Sequence, residues 1–240
     1  MCAEPRWKVL QERYQLVKLL QSGIIKTGSE TWIAIDPYEV EYIVKVWPFL
    51  SGQANDLQRA LWDLELRTLY RVSSSPGAEE CITTVKDAGL DYEHKCFVVV
   101  MSGSGDAGFD SLYNILPQRR SYPWLSNVNE DSRLKLWQGL ENIAKGIQLL
   151  HTQSVIHRNV DVSNIILQPG NGPGTMRLGG FEWSIRIGEL NLNNLPNHWL
   201  VPSTNGRNES SNGYQPEYDW YGFGIVAARC LLPIEHLFNN

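Results

Sequence analysis

The sequence predicts a two-lobed α+β fold. A strand-rich part is expected over residues 1–101, a connector over 102–108, and a helical part over 109–240. Three observations lead there. β-Branched and aromatic runs separated by turn residues fill most of the first hundred positions. The hydrophobic period changes from two to about 3.6 over 55–72 and again beyond 130. Between these regions, Gly103-Ser-Gly-Asp-Ala-Gly108 is a sharp shift to flexible composition.

Taken in order, Tyr14–Leu20 reads as a strand, followed by a Ser/Gly/Thr-rich turn through Ser29. Thr31–Ile35 and Tyr42–Trp47 are two more strands, with Asp36-Pro37 between them and Pro48 at the end. From Asn55 to Val72, Leu57, Leu61, Leu64 and Tyr70 recur at helical spacing, and Ser73–Gly77 stops the helix. Strands are expected over Cys81–Ala88 and Cys96–Met101, the second apolar enough to be buried on both faces. A long helix with Leu134, Trp137, Leu140, Ala144, Ile147 and Leu150 inward ends near His151. Gln168–Gly174 is a turn, and 186–216 is a long Asn/Ser/Pro-rich loop of the kind that regulates or binds. A very apolar helix covers Tyr221–Leu232. The tryptophans at 32, 47, 62, 137 and 220 are expected in the core.

Composition narrows the function classes. With 240 residues, 42% apolar and 20% charged, the chain can build a substantial core, which excludes wholesale disorder. A net charge of −5 with only the pair Arg119-Arg120 as a basic spot leaves no footprint for nucleic acid. Four cysteines at 2, 81, 96 and 230 lack any C-x-x-C spacing, so neither a disulfide framework nor a zinc cluster is expected. The histidines show no ligand spacing either. With no signal-like or membrane-spanning run, a cytoplasmic protein without membrane contact is expected.

The chemistry concentrates at His157-Arg-Asn-Val-Asp-Val-Ser-Asn164, a polar loop running into the apolar Ile165–Leu167. Upstream, Lys45 lies on the third predicted strand and Glu65 in the first long helix. Downstream come Gly180-Phe-Glu182, Gln215-Pro-Glu217 and Asp219-Trp-Tyr-Gly-Phe-Gly224. In this order and spacing, the chain from about Tyr14 onward resembles the protein kinase superfamily. The resemblance implies that Lys45 and Glu65 form an ion pair, that 157–164 is the catalytic loop, and that Asp219 braces it. It also implies that Gly180-Phe-Glu182 stands where the family has Asp-Phe-Gly.

The departures from that pattern fall on the reacting groups. Phosphoryl transfer needs a carboxylate to orient the attacking hydroxyl and metal ions to bridge the phosphates. Asn159 occupies the base position, and a neutral amide takes up no proton. Losing a general base typically costs about 10²–10⁴-fold in rate. The family's lysine two residues on is replaced by Asp161. Gly180 offers no oxygen to a hard cation, leaving Asn164 and Glu182 as the remaining metal-ligand candidates. The nucleotide loop retains only Gly23 and Gly28, which fit an ordinary hairpin turn at least as well as a phosphate cradle.

The resemblance therefore implies a degenerate, pseudokinase-type member: a regulatory or scaffolding domain acting through protein contacts. ATP is expected at most as a weak ligand held by Lys45, Glu65, Gly23 and Gly28, and magnesium is not expected. Other domains of a larger parent protein, or separate proteins, are the expected partners. Since only residues 220–240 follow Asp219, the helical lobe is expected to be incomplete or minimal. The alternative is a divergent ATP-dependent kinase using Asp161 as a displaced base and Glu182 as a displaced metal ligand. Gly-Phe-Glu-Trp183 is also similar to the Asp-Phe-Glu arrangement of choline and aminoglycoside phosphotransferases. Arg158 has two readings: backbone bonding, or pairing with a phosphate on Ser203, Thr204, Ser210 or Ser211.

Overall fold

The computed structural model describes residues 8–10, 12–22, 28–102, 108–126, 129–168, 176–187 and 216–232. Gly23, most of the 103–108 connector, residues 169–174 of the expected turn and nearly all of the 186–216 loop, with Ser203, Thr204, Ser210 and Ser211, lie outside these residues.

A six-stranded antiparallel sheet dominates the first hundred positions, in the order β1-β2-β3-β4-β6-β5. Its strands are β1 (Lys8–Val9), β2 (Tyr14–Ser22), β3 (Glu30–Ile35), β4 (Glu41–Pro48), β5 (Val85–Asp91) and β6 (Cys96–Ser102). Asp36 closes the β3–β4 turn by accepting the amides of Tyr38 and Val40, each at 2.9 Å. Alternation along β4 sends Ile43, Lys45 and Trp47 to one face and Val44 and Val46 to the other. Register with β6 sets Lys45 opposite Val99 and Trp47 opposite Phe97. β6 is buried along its whole length, on both faces, because a second apolar cluster of Val9, Leu16, Trp32, Val98 and Val100 covers the far side.

Helix α1 (Gln53–Ser73) lies on the sheet face that carries Lys45. Its buried stripe is Gln58, Leu61, Glu65, Thr68, Leu69 and Val72. Leu57 and Tyr70, expected inward, are instead 39% and 60% exposed, because this stripe runs one phase away from theirs. The strand expected over Cys81–Ala88 begins only at Val85. Gly77, in the left-handed region, starts the short helix α2 (Ala78–Cys81), and main-chain pairing with β6 then carries β5 on to Asp91.

The second half is helical with small sheets: β7 (Asp110–Ser111), α3 (Leu112–Ile115), a 3-10 turn over Leu116–Ser121, α4 (Pro123–Ser126) and α5 (Glu130–Thr152). β8 (Val155–Ile156), a 3-10 turn at Val162–Asn164, β9 (Ile165–Leu167), β10 (Arg177–Leu178), β11 (Ile185–Arg186) and α6 (Glu217–Leu231) follow. Asn129 caps α5 by accepting the Ser132 amide at 2.8 Å. The buried residues Leu136, Leu140, Ile143, Ile147 and Leu150 repeat in steps of four and three. Leu134 and Trp137 fall on the opposite phase and are over half exposed, contrary to the sequence expectation. Trp220 is 41% exposed for the same reason, whereas Trp32 and Trp47 are buried.

One hydrophobic cluster joins the halves, from Ile43 and Trp47 through Leu69 and Val72 of α1 to Leu140 of α5 and Val226 of α6. α6 is apolar, yet among its described side chains only Asp219, Val226 and Cys230 are buried. No helix among the described residues is long and apolar enough to cross a membrane.

The contact between α6 and the 157–164 loop depends on Gly222, where an added Cβ would lie 2.7 Å from the Val160 carbonyl oxygen. At Gly224, two residues on, it would meet nothing within 4 Å. Gly222→Ala is therefore expected to destabilise by about 1–3 kcal/mol. Gly224→Ala is expected to stabilise by about 0.5–1 kcal/mol through helix propensity. Urea unfolding of both variants checks the pair, and equal effects would show that the close approach is absent.

Candidate functional site

Four stretches of chain converge at the junction of the two halves: β4, α1, the 157–164 loop and the 179–184 segment. Pleating points Lys45 toward α1, and the helical period brings Glu65 to meet it. Lys45 Nζ lies 3.0 Å from Glu65 Oε2 and 2.7 Å from Glu182 Oε2, and all three side chains are nearly inaccessible to water. The other Glu65 oxygen accepts the Phe181 amide at 3.1 Å. The Lys45 ammonium also lies 5.0 Å from the Trp47 ring centre.

This cluster holds two carboxylates and one ammonium away from solvent, so the fully ionised state carries an uncompensated negative charge. Burial pushes Glu65 up to about 7, with Glu182 adding to the rise and Lys45 opposing it. For Lys45, burial acts downward, but Glu182 and Glu65 together outweigh it and hold the ammonium above its ordinary range. The cluster therefore takes up one proton near neutrality.

The loop is organised from below by Asp219 at the start of α6. Its carboxylate accepts the backbone amides of His157 and Arg158 and lies within bonding distance of His151 Nε2, each at 2.8 Å. This holds Arg158 in the left-handed region, at φ 67°. His157 is fully buried, and burial lowers its pKa, so the ring is neutral. Nδ1 accepts the Asn159 amide at 3.2 Å, which leaves Nε2 to donate to the Gly179 carbonyl at 3.0 Å. The Gly179 amide in turn donates to the Asn164 carbonyl at 2.8 Å, so the main chain of one residue ties the loop to the 179–184 segment. Phe181 packs edge-on against His157, 5.1 Å between centroids.

The remaining sequence candidates fall into place around this frame. Asp161 caps the 3-10 turn, accepting the Ser163 amide and hydroxyl at 3.0 and 2.9 Å. Its other oxygen lies 3.4 Å from Arg229. Asn164 donates from Nδ2 to the Asn159 carbonyl at 2.9 Å. Gly180 has φ 76°, and a Cβ added there would overlap Asn164 Oδ1. Gly28, also left-handed, backs onto the Gln58 side chain of α1. Lys45, Glu65 and Glu182 thus form one cluster and Asn159, Asp161 and Asn164 another, with Gly180 between them against Asn164. The pairing of Lys45 with Glu182, the closure of Gly180 by Asn164 and the bond from His151 to Asp219 were not foreseeable from spacing. Each joins residues far apart in sequence.

As they stand, these groups do not fit a magnesium triphosphate. Glu182 is committed to Lys45, the space beside Gly180 is taken by Asn164, and the side chains at 159 and 164 are neutral amides. Among the described residues, no three His, Cys, Asp or Glu side chains group so as to hold a metal ion.

The chain is similar to protein kinases over part of its length. It is 33% identical over 86 residues to the serine/threonine-protein kinase STE20 of Kluyveromyces lactis, covering 34% of this chain and 8% of that protein. It is 28% identical over 95 residues to the eukaryotic translation initiation factor 2-alpha kinase 1 of Plasmodium falciparum, covering 38% and 6%. With the Raf homolog serine/threonine-protein kinase of Caenorhabditis elegans, 27% identity extends over 112 residues, 42% and 13%. The matched stretches are thus a small fraction of these relatives. No protein-family profile matches the chain. The similarities support a protein kinase-like relationship.

The raised Glu65 pKa sets a pH dependence with a definite sign. Between about pH 4.5 and 7 the folded chain keeps a proton that the unfolded chain releases, so stability falls as pH rises through that window. The slope from this group is at most roughly 1 kcal/mol per pH unit. Urea midpoints measured from pH 5 to 8 are expected to show this decline in the wild type and a flatter profile in Glu65→Gln. Parallel profiles would contradict the shared proton.

Proposed function

We propose that this chain is a pseudokinase-type regulatory domain, a two-lobed unit divided at 102–108 that works through protein contacts and does not transfer phosphate. The observation that carries the reading is the closed contact between Gly180 and Asn164, next to an amide at 159. At the position where the kinase pattern puts its metal-binding carboxylate there is neither an oxygen nor room for one without displacing Asn164, whose amide is held by the Asn159 carbonyl. The remaining acidic groups are already engaged: Glu65 and Glu182 with Lys45, Asp219 with the loop amides, and Asp161 with Ser163 and Arg229. The architecture of a kinase cleft is thus retained through backbone-directed bonds, while the groups that would perform proton transfer and cation binding are missing or occupied. Partners would be other domains of a parent protein or separate proteins, and a nucleotide would be at most a weak ligand.

Incubation with radiolabelled ATP, magnesium and a general protein substrate tests the reading. No label above the level of Lys45→Ala is expected, and Lys45-dependent incorporation would overturn it. Asn159→Asp alone is expected to stay inactive, since the base without the metal carboxylate leaves the phosphates unbridged.

A further inference from the structure

The 181–184 turn presents an unusual side chain to the interior. The Ser184 amide donates to the Phe181 carbonyl at 3.0 Å, which places Glu182 and Trp183 at the two central positions. Turn centres ordinarily face water, yet here Glu182 is 6% and Trp183 5% exposed. Burying a carboxylate in this way is unfavourable unless a counter-charge compensates. The Lys45 ammonium, 2.7 Å away, supplies that charge, although Glu65 already neutralises it at 3.0 Å. The second carboxylate is therefore surplus to the architectural pair between β4 and α1. Its oxygen is the nearer of the two to the ammonium, at 2.7 Å against 3.0 Å.

We propose that Glu182 is a tethered competitor that locks the cleft: its carboxylate takes the place on Lys45 that the phosphate of a nucleotide would take, and by doing so it fastens the 179–184 segment to β4 and α1. This rests on the reading of the cleft as non-catalytic and gives that cleft a regulated state. While the lock is closed, an anion approaching Lys45 meets two carboxylates and a filled site. When the segment is drawn away, Lys45 and Glu65 remain as a neutral pair with an open donor face, able to accept a phosphate without a metal ion. His157, the further titratable group that feels both Glu182 and Lys45, does not offset this charge, because burial keeps its ring neutral.

The test is calorimetric titration of the full chain with ADP in the presence of EDTA. It uses the wild type, Glu182→Gln, which removes charge but keeps shape, Glu182→Ala, which also removes bulk, and the double variant Glu182→Ala with Lys45→Ala. The single variants are expected to bind ADP at least about tenfold more tightly than the wild type, and the double variant is expected to lose the gain. Equal affinity of the wild type and folded single variants would overturn the lock, as would a gain that persists without Lys45. Should both single variants fail to fold, hydrogen exchange at the Phe181 amide of the wild type decides. Millimolar ADP should leave it unchanged, and a change would overturn the proposal. Phosphate transfer from magnesium ATP by the wild type would refute the non-catalytic reading. Equal ADP affinities without transfer would refute the lock alone.

Discussion

The ammonium of Lys45 is the point on which the junction of the two halves depends. A strand, a helix and a turn each bring one member of the cluster, and each would otherwise leave a charge buried without compensation. The Coulomb attraction of the ammonium for both carboxylates is strong because water is excluded, and for the same reason the loss of Lys45, which would leave two carboxylates buried without a counter-charge, is costly. The arrangement therefore specifies how α1 sits on the sheet and where the 179–184 segment lies, beyond what the apolar contacts of Ile43, Trp47 and Leu69 would fix. Apolar packing tolerates sliding, whereas three charged atoms within 3.0 Å of one another's partners do not.

A second centre, the Asp219 carboxylate, does the same for the loop. It uses neutral donors in place of a cation: two backbone amides and a histidine ring. Because its bonds go to main chain, the loop geometry is independent of what side chain stands at 159. On the proposed reading, the groups that shape the cleft and the groups that would do chemistry in it are physically distinct sets.

Much of the framework was legible in the sequence because its causes are local. Alternating β-branched residues and the Asp36-Pro37 punctuation gave β3 and β4, and an unbroken Phe-Val-Val-Val run gave a strand buried on both sides. Lys45 and Glu65 could be placed on a strand and a helix from local pattern, and their pairing was implied by the kinase resemblance. What could not be read was phase and proximity. α5 contains two apolar repeats, and only packing against the core selects Leu136 and Leu140 over Leu134 and Trp137. The strand expected at Cys81 was displaced by a turn that Gly77 initiates. Glu182 was readable as a candidate displaced metal ligand, but its pairing with Lys45 depends on a turn that folds a polar side chain inward, against the usual preference. The closure at Gly180, where an added Cβ would overlap Asn164 Oδ1, depends on a tertiary contact that no pattern of residue types encodes.

The position of Trp47 has an optical consequence. Its indole is fully enclosed and lies 5.0 Å from the Lys45 nitrogen, so its excited state feels the electric field of a cluster whose net charge changes by one unit when a proton leaves or a carboxylate swings out. The chromophore is held rigidly by the same packing that holds the lysine. Ionisation of this buried junction therefore changes the electrostatic surroundings of that one indole.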